Sequence, residues 1–323
     1  MTIETPRGLP AQTAPRPYAG IEDLTHFLEF ASRSTKERGS LCAQWHPGDV
    51  AWQLNGIANR PQRIRFWFGP DGGVDVASWV ATEDELWIEA TRAGEARVAE
   101  AVEIAEARWR SRPSERRSGA FSVIASEQDQ ARVQTLEGLG YCKGAPSGVG
   151  FTMDLERPLP ATESPHGFSV RDSIGVDPAL RAAAHRAAWS HLEHLNIHGE
   201  SQFSTERYLS LAAMPVYDPA LDLLVVGPDG SFVANCIAWP DTDSGVGVFE
   251  PVGTAVAYRG RRLVRLMMSE AVRRLRAKGM REARVGTAPL NAPAIAAYLA
   301  AGFTLVARSH RWTKTLPRSV GSK

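Results

Sequence analysis

Apolar and polar positions along the chain repeat about half-way through. The string GPDG occurs at 69–72 and again at 227–230, each time between a short apolar run and a second run that reaches a tryptophan, Trp79 or Trp239. Glycine, proline and aspartate in that order supply a tight turn, so each copy predicts a β-hairpin. Downstream of each hairpin come a further strand-like run, a long helix-like segment, a strand, a short helix and a glycine–aromatic pair, Gly140-Tyr141 or Gly302-Phe303. Because the elements recur in register, the pattern predicts two homologous domains. The segment ERPLPATESPHG, 156–167, with three prolines, reads as the linker between them. The expected division is an arm at 1–17, one domain at 18–155, the linker, a second domain at 168–317 and a tail at 318–323.

In the second copy, strands are predicted at 168–171, 221–226, 231–239, 246–253 and 283–288, with helices at 179–189 and 205–212. A helix over 262–278 places Val264, Met268, Ala271, Val272 and Leu275 on one face, the spacing of a helix packed on a sheet, with its arginines outward. A last helix is opened by Asn291 as N-cap, carries Pro293 in its first turn and is closed by Gly302. This order is α/β with a mixed, mostly antiparallel sheet in each domain, flanked by helices.

Composition narrows the class without changing the fold. The chain has 323 residues, 43% apolar and 23% charged, which is enough for two buried cores. A net charge of +1 demands neither nucleic acid nor a membrane as partner. Cys42, Cys142 and Cys236 lie far apart without metal-ligand spacing, which argues for a reducing compartment. The proline-rich N-terminus carries no apolar run and no later stretch is long enough to span a bilayer, so a cytoplasmic location is expected.

The richest segment runs over 249–267, FEPVGTAVAYRGRRLVRLM, where a strand ends, a basic loop follows and a helix begins. Unpaired N–H groups at a helix N-terminus and the helix dipole form an anion site suited to a pyrophosphate. Arg259, Arg261 and Arg262 would strengthen it. The cluster SHLEHLNIHGE places His191, His194 and His198 at a spacing that would share one helix face. A metal is not the favoured reading there, because no carboxylate or cysteine ligand is obvious. The arginine-rich helix does not favour nucleic acid either, since Glu270 and Glu282 interrupt it and no aromatic platform accompanies it.

The strand, the YRGRRL loop and the run NAPAIAAYLAAGF resemble the motifs of the GCN5-related N-acetyltransferases (GNAT), which transfer acyl groups from coenzyme A to amines. EPVGT at 250–254, GDVAW at 48–52 and the repeat itself are similar to two-domain bacterial members. The resemblance implies an acyl-CoA:amine N-acyltransferase that uses acetyl-CoA or a longer acyl-CoA as co-substrate, without a metal. It implies that Val252, Gly253 and Thr254 pair their backbone with the pantetheine arm. The loop Arg259, Gly260, Arg261, Arg262, Leu263 and Val264 would cradle the pyrophosphate, Asn291 would bond the coenzyme arm, and Tyr298 would protonate the leaving thiolate. A phenol of pKa about 10 can share a proton with a thiol of about 8.5. The family's loop has glycine or alanine where this chain has Arg262 and Val264, which puts coenzyme affinity and choice at issue.

For the general base two candidates stand: Glu250, whose parity along the strand matches Val252 and Thr254 and so predicts a shared sheet face, and the histidine cluster with His194 and His198. The acceptor implied is a small molecule such as an amino sugar or an antibiotic or natural-product precursor. The first copy has EATRAGEARVAEAV in place of the phosphate loop, with Glu95 at its centre, and Asp129 and Leu136 in place of Asn291 and Tyr298. That half is expected to have lost the coenzyme site, and either to shape the acceptor cleft or to stabilise its partner. The alternative for the whole chain is a decayed GNAT-fold binding or regulatory protein. Acyl length and oligomeric state stay open.

Overall fold

A computed structural model of the protein describes residues 14–55, 63–113, 119–158 and 162–316. The start of the expected arm, part of the expected linker and the expected tail lie outside the described residues. The N-terminal half comprises β1 (Arg16–Pro17), α1 (Ile21–Arg38), α2 (Pro47–Leu54), β2 (Ile64–Phe68), β3 (Val74–Thr82), β4 (Glu85–Ala90), α3 (Val98–Arg110), β5 (Ala120–Ser126), α4 (Gln130–Gly138) and β6 (Cys142–Asp154). The C-terminal half repeats the plan with β7 (Ser169–Asp172), α5 (Pro178–Trp189), α6 (Thr205–Ala212), β8 (Asp222–Val226), β9 (Phe232–Asp241), β10 (Val246–Thr254), α7 (Leu263–Ala277), β11 (Glu282–Thr287), α8 (Ala292–Ala300) and β12 (Thr304–Thr315). No described helix is long and apolar enough to cross a membrane.

The two GPDG turns close β2–β3 and β8–β9 with matching geometry. Gly69 N–H donates to the Gly73 carbonyl and Gly227 N–H to the Ser231 carbonyl, both at 2.8 Å. Gly72 and Gly230 take φ 80° and 81°, a conformation that costs glycine little. One expectation needs correcting. Arg16 and Pro17, assigned to the loose arm, pair with Phe66 and Arg65 of β2. Tyr18 packs edge-on against Phe66 at 5.9 Å, and Arg16 bonds Asp23 of α1, so chain order begins earlier than composition implies.

The strands form one twelve-stranded sheet in the order β1-β2-β3-β4-β5-β12-β6-β11-β10-β9-β8-β7. The α/β mixed-sheet expectation holds for each half, and the last strands are exchanged. β6 of the N-terminal half lies between β11 and β12, with Phe151 opposite Val285. β12 of the C-terminal half lies between β6 and β5, with Arg311 opposite Ile124. The parallel pairs are β4–β5 and β10–β11, each bridged by a crossover helix, α3 or α7.

α7 and α8 cover one face of the C-terminal sheet. Met268, Ala271, Val272 and Leu275 are buried there as the periodicity predicts, together with Leu263 and Met267, whereas Val264 is only partly buried. On the other face α5, α6 and the N-terminal half's α2 pack around Trp239. A Cβ on Gly48 would lie 2.3 Å from the Trp239 Cβ, so only glycine lets α2 approach the strand this closely. α5 is held by a buried ion pair in which Arg181 Nε donates to both Asp222 oxygens at 2.8 and 2.9 Å.

Because each half completes its sheet with the other's last strand, neither should hold its fold alone. Residues 168–317 expressed alone are expected to aggregate, and co-expression with 18–155 to restore a monodisperse complex. A soluble, cooperatively melting C-terminal half on its own, by gel filtration and circular dichroism, would contradict this.

Candidate active site

β10 pairs with β9 along its length, from Val246–Asp241 to Thr254–Ala234. Its pairing with β11 stops at Phe249–Val285. Beyond that point the strands diverge, leaving the edge of β10 near Val252 and Gly253 without a strand partner, which an extended chain carrying amides can use. A short turn then leads into α7. Gly260 has φ 76° and Arg262, the residue before the helix, φ 60° with no side-chain cap. A left-handed non-glycine residue costs about 1–2 kcal/mol, which gives a backbone reason, besides close phosphate approach, for a small residue at position 262. The first N–H groups of α7 have no side-chain acceptor and face the opening.

These elements enclose a cleft of about 680 Å³. It gathers most of the residues named from sequence: Val252, Gly253, Thr254, Arg259, Gly260, Arg262, Leu263, Val264, Asn291, Tyr298 and His194. Arg261 is on the same loop, but its guanidinium lies over the Tyr258 ring, 5.5 Å from its centre, and not in the cleft wall. Arg259 Nε donates to the Thr254 carbonyl at 3.2 Å and bridges to the end of α5. Asn291 caps α8, donates to Thr287 Oγ1 at 2.9 Å and shares its oxygen with His194 Nε2 at 3.2 Å. Its side chain is thus largely committed within the protein.

Two buried polar atoms of the cleft, Thr254 Oγ1 and Trp189 Nε1, have no hydrogen-bond partner among the described residues. Together with the open β10 edge and the anion site at α7, they fit a ligand with amides at one end and phosphates at the other. Tyr298 is 5% exposed and packs edge-on against Phe151 at 5.6 Å. Burial first, then the charges of Glu250 and Cys236, hold its phenol well above the usual range, so it carries its proton at neutral pH.

Glu250 and the histidines correct the sequence reading. A bulge between Phe249 and Val252 shifts the register of β10, and parity no longer carries across it. Glu250 therefore lines a second cavity, of about 230 Å³, while Val252 and Thr254 line the first. Phenol and carboxyl approach the gap between β10 and β11 from opposite faces of the sheet. Burial, then the charge of Asp49, pushes the Glu250 carboxyl up to about 8. The three histidines share no helix face. His191 and Asn196 are left-handed, only Glu193–Leu195 form a single 3-10 turn, and Leu192 bridges Ile197. His198 bonds Glu193 and Asn196 and stays outside the cleft wall. Among the described residues no group of three or more His, Cys, Asp or Glu could hold a metal ion.

Residues 186–303 match the model of the acetyltransferase (GNAT) family. Over that span the C-terminal half is similar to GNAT acetyltransferases. The whole-chain fold is shared with a GCN5-related N-acetyltransferase from Sphaerobacter thermophilus, with TM-score 0.57, 20% identity and 95% of this chain and 96% of that one covered. It is shared too with a tandem GNAT protein from the clavulanic acid biosynthesis pathway (TM-score 0.57, 17% identity, 94% and 98% covered). A GNAT-family acetyltransferase from Colwellia psychrerythraea has TM-score 0.58 and 12% identity, with 93% and 99% covered. No curated protein matches the chain.

The N-terminal copy of the GNAT fold has the same opening, since β4 and β5 pair only from Glu85–Ser122 to Trp87–Ile124. There the protein's own side chains occupy it. Arg132, at the place of Ala294 in α8, donates through Nη1 to the Ile88 carbonyl on the β4 edge at 2.6 Å. Arg38 of α1 pairs with Glu89, Glu95 and Asp129. Glu95 and Asp129, the residues singled out from sequence, thus hold an internal cation, and no sequence signal pointed to Arg38 or Arg132 as its source. Breaking such a buried pair typically costs about 3–5 kcal/mol, so a ligand cannot readily displace it.

One acyl-CoA per chain is therefore the expected stoichiometry. Calorimetry with acetyl-CoA should give a value near one, and Arg259→Glu should abolish binding. Two equivalents bound, or unchanged binding in that variant, would assign the coenzyme elsewhere.

Proposed function

We propose that the protein transfers an acyl group from acyl-CoA to the primary amine of a small molecule, such as an amino sugar or an antibiotic or natural-product precursor. The observation that supports this best is the gap between β10 and β11, reached by Tyr298 from the large cleft and by Glu250 from the opposite side. GNAT proteins use acetyl-CoA as co-substrate, and the large cleft offers this chain's place for it. Phosphates would sit at the start of α7 near Arg259 and Arg262, and the pantetheine along Val252 and Gly253.

In this reading the thioester lies in the gap. The amine nitrogen attacks the carbonyl carbon while Glu250, directly or through water, takes the proton that the nitrogen must lose. Backbone N–H groups of the diverging strand hold the oxyanion of the tetrahedral intermediate. The C–S bond then breaks and Tyr298 delivers its proton to the sulfur, giving amide and free thiol. His194 lies on the coenzyme side and bonds Asn291, which favours Glu250 over the histidines as base. The departure at Arg262 and Val264 keeps a decayed binding protein as the second reading, and failure to bind acetyl-CoA would favour it.

Tyr298→Phe is expected to lower kcat by about 10²- to 10⁴-fold, the usual range for a general acid or base, with acyl-CoA affinity little changed. Wild-type turnover would remove Tyr298 from the mechanism. For Glu250, activity should rise with pH through about 8 and Glu250→Gln should flatten that limb. A wild-type pH profile in this variant would rule Glu250 out as base.

The same carboxyl sets a stability trend. Its ordinary pKa of 4.5 is raised to about 8 by folding, so between these values the folded chain holds a proton the unfolded chain has released. Stability from this group is present at low pH and is lost as pH rises towards about 8. The melting temperature of Glu250→Gln relative to wild type should increase over that window, and a difference independent of pH would contradict the shift.

A further inference from the structure

The smaller cavity, at Glu250, is built by both halves of the chain. Its floor is a patch of small residues where β11, β6 and β12 lie side by side, with Gly286 opposite Gly150 and Gly150 opposite Ala307. A Cβ added at Gly150 would meet Ala307 Cβ at 3.7 Å, an ordinary contact. Packing therefore does not require glycine there, and its absence of a side chain keeps the cavity open. The wall facing this floor comes from the N-terminal half: Ser40, Leu41, Ala43 and Gln44 of the connection between α1 and α2, and Asp49 in the first turn of α2.

The charges in that wall are unequally satisfied. Arg284 of β11 is spent on locking the segment to the sheet: it donates to the carbonyls of Ser40 and Ala43 and to Asp49 Oδ2, the last at 3.1 Å. Asp49 Oδ2 also accepts from His46 N–H at 3.0 Å, while Oδ1 has no partner among the described residues. The Glu250 carboxyl and the Gln44 side-chain amide line the same cavity and likewise find no partner there. The cavity thus holds a cation already neutralised by its neighbours, and acceptor oxygens left unused.

We propose that the N-terminal half selects the acceptor: a small, polar primary amine enters the cavity between the halves, its ammonium held by Asp49 and Glu250 and its remaining polar groups by Gln44. This rests on the acyltransferase reading of the C-terminal cleft and adds the substrate class and the residues that discriminate it. At about 230 Å³ the cavity is below the 300–1,000 Å³ typical of drug-sized ligands, which excludes a peptide or lipid held wholly inside it. The amine binds as the ammonium and releases one proton to solvent before attack, leaving Glu250 to take the second as the nitrogen attacks the carbonyl carbon. Asp49 is a substrate-binding residue: it holds the incoming amine, its charge raises the proton affinity of Glu250, and it does not contact the thioester.

The test uses the full chain, with ethanolamine, putrescine and glucosamine as probes. Acetyl-CoA affinity is measured by calorimetry and transfer by release of the thiol. Wild type should acetylate at least one of the three. Asp49→Asn, which removes the charge, and Gly150→Val, which fills the floor without altering the 40–49 segment, should each raise the amine KM about tenfold or more with acetyl-CoA affinity unchanged. Unchanged amine KM in both variants overturns the proposal. So does a wild-type chain that binds acetyl-CoA and acetylates none of the probes. A chain that does not bind acetyl-CoA at all instead overturns the acyltransferase reading, and this inference with it.

Discussion

The parting of β10 from β11 after Phe249 is the constraint from which the C-terminal site follows. A sheet buries paired backbone at low cost, and a strand that leaves its neighbour must either find another partner or meet solvent. Here the loss is localised by a bulge at Glu250 and Pro251, which does two things at once. It frees the edge of β10 on the side of α7, where helix dipole and arginines gather, and it turns the one carboxylate of the strand to the other face. The two faces then differ in lining, with Arg259 and Arg262 at the cleft on one and Glu250 and Asp49 at the cavity on the other.

The N-terminal half shows what becomes of the same opening when nothing keeps it free. The fold parts β4 from β5 in the corresponding place, and Arg132 caps the buried carbonyl of Ile88 while Arg38 crosses from α1 to meet three carboxylates. Burial raises the proton affinity of Glu89 in spite of the pull of Arg132 and Arg38, so the network is held under a real desolvation cost. The half is retained all the same, because its last strand is built into the middle of its partner's sheet. Its α2 also packs on Trp239, which lies next to Glu250 through a hydrogen bond from the indole to the Glu250 carbonyl. Exchange of strands therefore couples the half whose β4 edge is capped by Arg132 to the geometry of the half whose β10 edge is free.

What the chain determined by itself was whatever depends on local order. The two GPDG turns, the cap at Asn291, the apolar face of α7 and the basic loop before it all rest on contacts within a few residues, and their spacing reports them directly. The repeat made the two-fold plan legible for the same reason, since corresponding elements keep their order. Tertiary structure decided everything that needed two distant segments to meet. Parity along β10 failed at Glu250 because a bulge depends on the neighbouring strand. The histidine cluster failed as a helix face because His191 and Asn196 adopt left-handed conformations that spacing cannot announce. The exchange of β6 and β12 leaves no trace in sequence, as either strand carries the same alternation wherever it pairs. Asp49 and Arg284 meet because α2 of one half packs on the sheet of the other, and a salt bridge between far-separated positions has no periodicity by which a sequence could show it.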